Sequence, residues 1–164
     1  MAILAAVDGE RMPDRVVEVG YDLATTYDDD LVVLHVMPRE EFERLHEAAD
    51  RSEGGLSAES GVPYMRYRSG SGEGYFMDDA QSDAADVARD VADETLEDLG
   101  GIGFRGRVGN VTEEILEEAE RLDARYVVSG GRKRTPIGKA VFGSTLQSIL
   151  LNADRPVVSI MNPE

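Results

Sequence analysis

Two apolar runs, the second broken only by His35, bracket a helical pattern at the start of the chain, and few architectures other than a parallel α/β sheet accommodate them. Ile3–Val7 is apolar at every position and shows no helical period, which is the pattern of a strand covered on both faces. It exits into Asp8-Gly9. From Pro13 onward Val16, Val17, Gly20, Leu23 and Ala24 recur at helical spacing, with Asp14, Arg15, Glu18 and Asp22 between them. Asp28-Asp29-Asp30 punctuates, and Leu31–Val36 repeats the strand pattern. A helix between two buried strands predicts a βαβ unit.

The rest of the chain extends this unit. Glu40–Asp50 is a short acidic helical pattern. Residues 51–77 are irregular, rich in Gly and Ser, and carry Tyr64, Met65, Tyr67, Tyr75, Phe76 and Met77; the aromatics favour docking on the body. From Asp78 a stripe of Ala80, Ala84, Val87, Ala88, Val91, Ala92, Thr95, Leu96 and Leu99 predicts a long helix stopped by Gly100-Gly101. Phe104–Val108, punctuated by arginines, reads as a third strand nearer an edge. Asn110 with Glu113 three residues on reads as a capping box, opening a helix whose stripe is Val111, Ile115, Ala119 and Leu122. Tyr126–Ser129 and Pro156–Met161 read as the fourth and fifth strands, joined by a helix over Ser144–Leu151. The expectation is one α/β domain over residues 1–164, a five-stranded parallel doubly wound sheet with helices on both faces.

Composition narrows the chemistry. The 164 residues hold 41% hydrophobic residues and no cysteine, so the chain is globular in type and neither disulfides nor thiolate chemistry can operate. The first strand lacks the basic start of a signal peptide and no run is long enough to span a bilayer, which predicts a cytoplasmic protein. Net charge is −16, from 33 acids against 17 bases of which only two are lysine. Dispersed carboxylates with little lysine suit a salt-rich cytoplasm, where self-repulsion is screened. An acidic docking surface for a basic partner fits less well because the acids are not blocked together, and nucleic-acid binding fits least. His35, within a strand, is read as packed or hydrogen-bonded and not as a metal ligand, and His46 as solvent-facing.

Against this acidic background, Ala124–Ala153 contains no acid but holds Arg125, Arg132, Lys133, Arg134 and Lys139. The expected order there is strand, a Ser129-Gly130-Gly131 turn, a basic loop and a helix opening at Gly143-Ser144-Thr145. Such a place suits phosphate, because helix N-terminal amides and the positive helix end both favour anions. It is not a Walker loop: the glycines are too far apart and Ala140 stands where a metal-holding hydroxyl is required. A Ser-Gly-Gly loop of the ATP-pyrophosphatase kind would follow the first strand, and no GxGxxG opens the first helix.

Framed on Gly143-Ser144, the stretch resembles the nucleotide loop of the universal stress protein family, G-x2-G-x9-G-[ST], with Gly130 at the first glycine and Lys133 at the second. Ala6-Val7-Asp8-Gly9, Leu34-His35-Val36 and Asn152–Val157 resemble the family's corresponding segments, and the acidic composition resembles its haloarchaeal members. The resemblance implies sheet order 3-2-1-4-5 and an ATP-binding regulatory protein of the stress response; the residues offer no general base beyond Asp8 and no activated nucleophile, so no catalytic residue is assigned and a slow ATPase is the enzymatic alternative. It implies that Asp8 faces the ribose or a Mg²⁺ with the phosphates, that Val36 offers backbone to adenine, and that Ser129 and Gly130 flank the ribose-phosphate. Gly143, Ser144 and Thr145 would bind phosphate, with Arg132 and Arg134 as auxiliary contacts. Lys133 departs from the motif: it either reaches a β- or γ-phosphate or crowds the turn. The family also implies a homodimer paired through Val157–Met161, and the alternative function is a dimeric interaction module that binds no nucleotide.

Overall fold

The computed structural model describes residues 1–52, 74–132 and 143–162. The strands are β1 (Ala2–Val7), β2 (Asp30–Pro38), β3 (Gly103–Gly109), β4 (Ala124–Arg132) and β5 (Val157–Asn162). The helices are α1 (Arg15–Tyr27), α2 (Arg39–Ser52), α3 (Met77–Thr95), α4 (Val111–Arg121) and α5 (Ser144–Asn152). All neighbours pair in parallel, in the order β3-β2-β1-β4-β5. The five-stranded doubly wound sheet is therefore as expected.

Alternation along the strands feeds two cores. Ile3, Ala5, Val7, Leu31, Val33 and Val128 meet Val16 and Val17 of α1 and Val87, Val91 and Ala92 of α3. On the other face Leu4, Val32, Leu34, Val36 and Val127 meet Ile115 and Ala119 of α4 and Ile149 of α5. Being covered on both sides is why β1 and β2 read as continuous apolar runs instead of alternating ones. A third cluster, Met37, Tyr75, Ala80 and Ala84 with Phe42, Leu45 and Ala49, fastens α2 and the start of α3 to the end of β2. Gly106 lets α3 approach: a Cβ there would lie 2.0 Å from the Gln81 carbonyl oxygen.

Several boundaries differ from expectation. α3 ends at Thr95, short of the Gly100-Gly101 pair, because Leu96 is extended (φ −116, ψ 145) and Leu96 and Leu99 pack on the core without helix. Tertiary burial overrides a periodic pattern here. α4 has the expected cap, with the Glu113 amide donating to Asn110 Oδ1 at 3.1 Å. The expected irregular segment is helical at its rims, since Arg51 and Ser52 close α2 and Met77 opens α3. Its Tyr64, Met65 and Tyr67 lie outside the described residues.

The largest difference concerns the glycine turn. Ser129, Gly130 and Gly131 are strand, and β4 continues through Arg132 with Gly130 opposite Ile160 and Gly131 opposite Met161. Gly131 is tolerated there because a neighbour needs its space: a Cβ on it would sit 2.5 Å from Leu146 Cδ2 of α5.

Candidate functional site

Strand lengths create a notch at the carboxyl end of the sheet. β1 pairs with β4 as far as Ala6 opposite Ser129, and with β2 as far as Val7 opposite His35. Both neighbours go on: β2 through Val36, Met37 and Pro38 beside β3, and β4 through Gly130, Gly131 and Arg132 beside β5. At ~3.3 Å per residue the two walls rise about 10 Å above the end of β1. The notch lies where the strand order turns outward in both directions, the position at which open α/β sheets bind ligands.

Asp8 and Gly9 form the floor. Gly9 has φ +75, a conformation glycine adopts without penalty, and the Glu10 amide donates to Asp8 Oδ1 at 2.8 Å. The Asp8 side of the notch is acidic. Asp14 is 4% exposed, caps α1 by accepting from the Val16 amide at 2.9 Å, and donates its own amide to Thr95 Oγ1 at 2.9 Å. Burial pushes the Asp14 carboxyl up against the pull of that amide bond, and the charge of Asp8 pushes the same way. The sequence reading placed Asp14 only among the polar residues between the apolar positions of the helix; its place just before an apolar-periodic run was the signal of a cap.

The β4 wall is uncharged at Ser129, Gly130 and Gly131 and ends in Arg132. Ser129 is 5% exposed, and Val36, on the β2 wall, is buried in the core cluster of Ile115 and Ala119. α5 begins beside the end of β4, held by the packing of Leu146 on Gly131. Ser144 and Thr145 are exposed in its first turn, which contains no acid, and Gly143 is its N-cap without a side-chain bond. Gly143 has φ −57, and a Cβ there would meet nothing within 4 Å. Neither backbone conformation nor packing among the described residues requires glycine at this position.

Thus Asp8, Val36, Ser129 and Gly130 come together around the notch, and Gly143, Ser144 and Thr145 stand at the head of the adjoining helix. Of the auxiliary cations, Arg132 is the last described residue of β4, while Lys133 and Arg134 lie outside the described residues. Arg125 stands apart from them all. It is at the amino end of β4, where its Nε donates to Asp29 Oδ2 at 2.6 Å and its guanidinium lies 4.6 Å from the centre of the Tyr27 ring. The Arg125 hydrogen bond holds the Asp29 carboxyl below its ordinary range.

The two histidines serve structure at different depths. His35 is 4% exposed, with Nδ1 3.0 Å from the Val7 carbonyl; a carbonyl only accepts, so Nδ1 carries the proton. His46 is not simply solvent-facing. Its Nδ1 lies 2.7 Å from the Tyr75 carbonyl and its ring stacks on Phe42, tying α2 to the start of α3. Among the described residues no group of three or more His, Cys, Asp or Glu is placed to hold a metal ion. Nor, among them, is any helix long and apolar enough to cross a membrane.

Comparisons with known proteins agree with the architecture. A universal stress protein from Archaeoglobus fulgidus superposes with TM-score 0.56 at 24% identity, covering 98% of each chain. A universal stress protein in complex with cAMP superposes with TM-score 0.54 at 15% identity, covering 98% of this chain and 96% of the other. At these identities the likeness is one of fold. A universal stress protein of Mycolicibacterium smegmatis is 39% identical over 51 residues, which are 31% of this chain and 39% of that relative. The chain thus covers well under half of this relative's length. The universal stress protein family model matches residues 1–160, and the chain belongs to that family.

Proposed function

We propose that the protein is an adenine-nucleotide-binding regulatory member of this family, acting in the stress response and not in metabolism. The observation that carries this reading is the notch over β1, with Asp8 as its floor and the first turn of an acid-free helix beside one wall. The solved relative crystallised with cAMP adds support, since its ligand is an adenine nucleotide on the same fold. Adenine would take backbone groups at Val36. Ribose and α-phosphate would lie along Ser129 and Gly130. The outer phosphates of ATP would reach the amides and hydroxyls at Gly143, Ser144 and Thr145, where the helix end favours an anion by ~0.3–1 kcal/mol. Glycine at 143, which nothing described in the protein requires, leaves room for that approach.

The donor set suits a hard cation with the phosphates. The Asp8 carboxylate accepts several bonds at once, and Mg²⁺ would offset its charge, and that of Asp14, against the triphosphate. When bound, the ion would supply positive charge against the phosphates, with Asp8 as the residue that would hold it; the protein's part is to hold, orient and shield the nucleotide. The reading extends to Arg132, Lys133 and Arg134 as phosphate contacts, a cytoplasmic location, a homodimer through Val157–Met161 and adaptation to high salt. The opposing reading, a dimeric interaction module without nucleotide, draws on Lys133 in place of the second motif glycine. Equilibrium dialysis with ATP and Mg²⁺ in high salt separates the two. Saturable binding that Gly143→Val weakens at least about tenfold is expected, while no saturation up to millimolar ATP would favour the interaction module.

A further inference from the structure

His35 is buried beside the notch, and the nucleotide reading gives it no role. Its ring comes from β2, yet its partner is the carbonyl of Val7, the last residue of β1. Two residues stand opposite each other in the ladder here, Val7 and His35, and this is the last pairing β1 makes with β2. On its other side β1 has already parted from β4, one residue earlier. The chain then turns through Gly9 at φ +75, and the Asp8 carboxylate folds back onto the Glu10 amide. Val7 is therefore the hinge between a rigid strand and the turn that presents Asp8. The Nδ1 bond is a clamp on that hinge.

We propose that His35 is a positioning residue for Asp8: by donating from Nδ1 to the Val7 carbonyl it holds the end of β1 and so directs the Asp8 carboxylate into the notch. The inference rests on the nucleotide reading for what Asp8 meets, but not for the clamp itself. A buried donor aimed at a backbone carbonyl fixes the orientation of that peptide group, and with it the start of the turn that follows.

Substitution separates positioning from packing. His35→Asn retains a donor at the place of Nδ1, whereas His35→Phe fills the volume and removes the donor. In ATP and Mg²⁺ titrations His35→Phe is expected to weaken binding about tenfold and His35→Asn to stay within about twofold of the parent. In the ligand-free protein, exchange of the Glu10 amide hydrogen should speed up about tenfold in His35→Phe and not in His35→Asn. A parent that binds ATP and a His35→Phe variant that binds it equally well overturns the inference and leaves the nucleotide reading intact. A parent that binds no ATP overturns the nucleotide reading, and the exchange rates then decide the clamp: unchanged Glu10 exchange in His35→Phe, or equal acceleration in His35→Asn, overturns it.

Discussion

The two edges of the sheet are opposite solutions to the same exposure. β3 is edged with arginine and answered by a buried acid: Glu118 of α4, 2% exposed, takes Arg107 at 2.7 and 2.8 Å, Arg121 at 3.2 Å and Arg105 at 3.8 Å. β5 offers Val157, Val158, Ser159, Ile160 and Met161, with no charge at all. Charge on an edge strand discourages pairing with another chain, and an uncharged edge permits it. In a chain of net charge −16, two copies can approach at low cost only where acids are absent. The difference teaches that one end of the sheet is closed by design of its side chains, and the other is left available.

Removing the hub of the closed edge should have the largest effect. Glu118→Ala leaves three guanidiniums facing a void; for a fully buried pair the loss would be ~3–5 kcal/mol. Arg105, Arg107 and Arg121 keep 27–51% side-chain exposure and can turn to water, so about 2–3 kcal/mol is expected from denaturant unfolding. A loss below about 0.5 kcal/mol would show that the arginines gain nothing from Glu118.

Next in size is charge on the open edge. In the proposed homodimer through β5, Ser159→Glu would place like charges across the two-fold axis, so dimer dissociation should rise at least about tenfold in sedimentation while monomer unfolding is unchanged. Arg105→Ser should leave assembly as it was. If Arg105→Ser disrupts a dimer that Ser159→Glu spares, the roles of the two edges are reversed.

The smallest effect lies away from both edges and calibrates them. Asp83, 7% exposed, accepts from the Tyr75 hydroxyl at 2.7 Å, and burial pushes its carboxyl above the ordinary range despite that bond. With the folded value raised, its contribution is fully present below the unfolded carboxylate value and is lost as pH rises through the folded one. Asp83→Asn keeps the acceptor for Tyr75 and does not titrate. Its melting temperature relative to the parent should therefore climb from about pH 4 to pH 7, by the equivalent of less than about 1 kcal/mol. A difference that falls over this range would overturn the assignment.

How far the sequence could be read follows from the physics of each element. Strands β1 and β2 were legible to within two residues because burial on both faces leaves a run that is apolar but for His35. The Asn110 cap was legible because capping is local. The end of α3 was not: Leu96 and Leu99 continue the helical period but are pulled out by the core. The Ser129–Gly131 segment was misread as a turn, since glycine pairs suggest loops unless a neighbouring helix claims their space. The cap at Asp14 is equally local and was overlooked, whereas its tie to Thr95 and that of His46 to Tyr75 depend on which elements meet, and composition carries no sign of that.

By itself the sequence determined the strand and helix order, the family frame on Gly130, Gly143 and Ser144, and the acid-free stretch in an acidic chain. These are periodic or compositional properties, and each is set by residues close along the chain. Only the tertiary structure decided that β4 outruns β1 through its glycines, that Arg125 belongs to the amino end of the sheet, and that His35 grips the carbonyl before Asp8. Those depend on the register between strands that lie far apart in sequence, and register is settled by packing two cores at once.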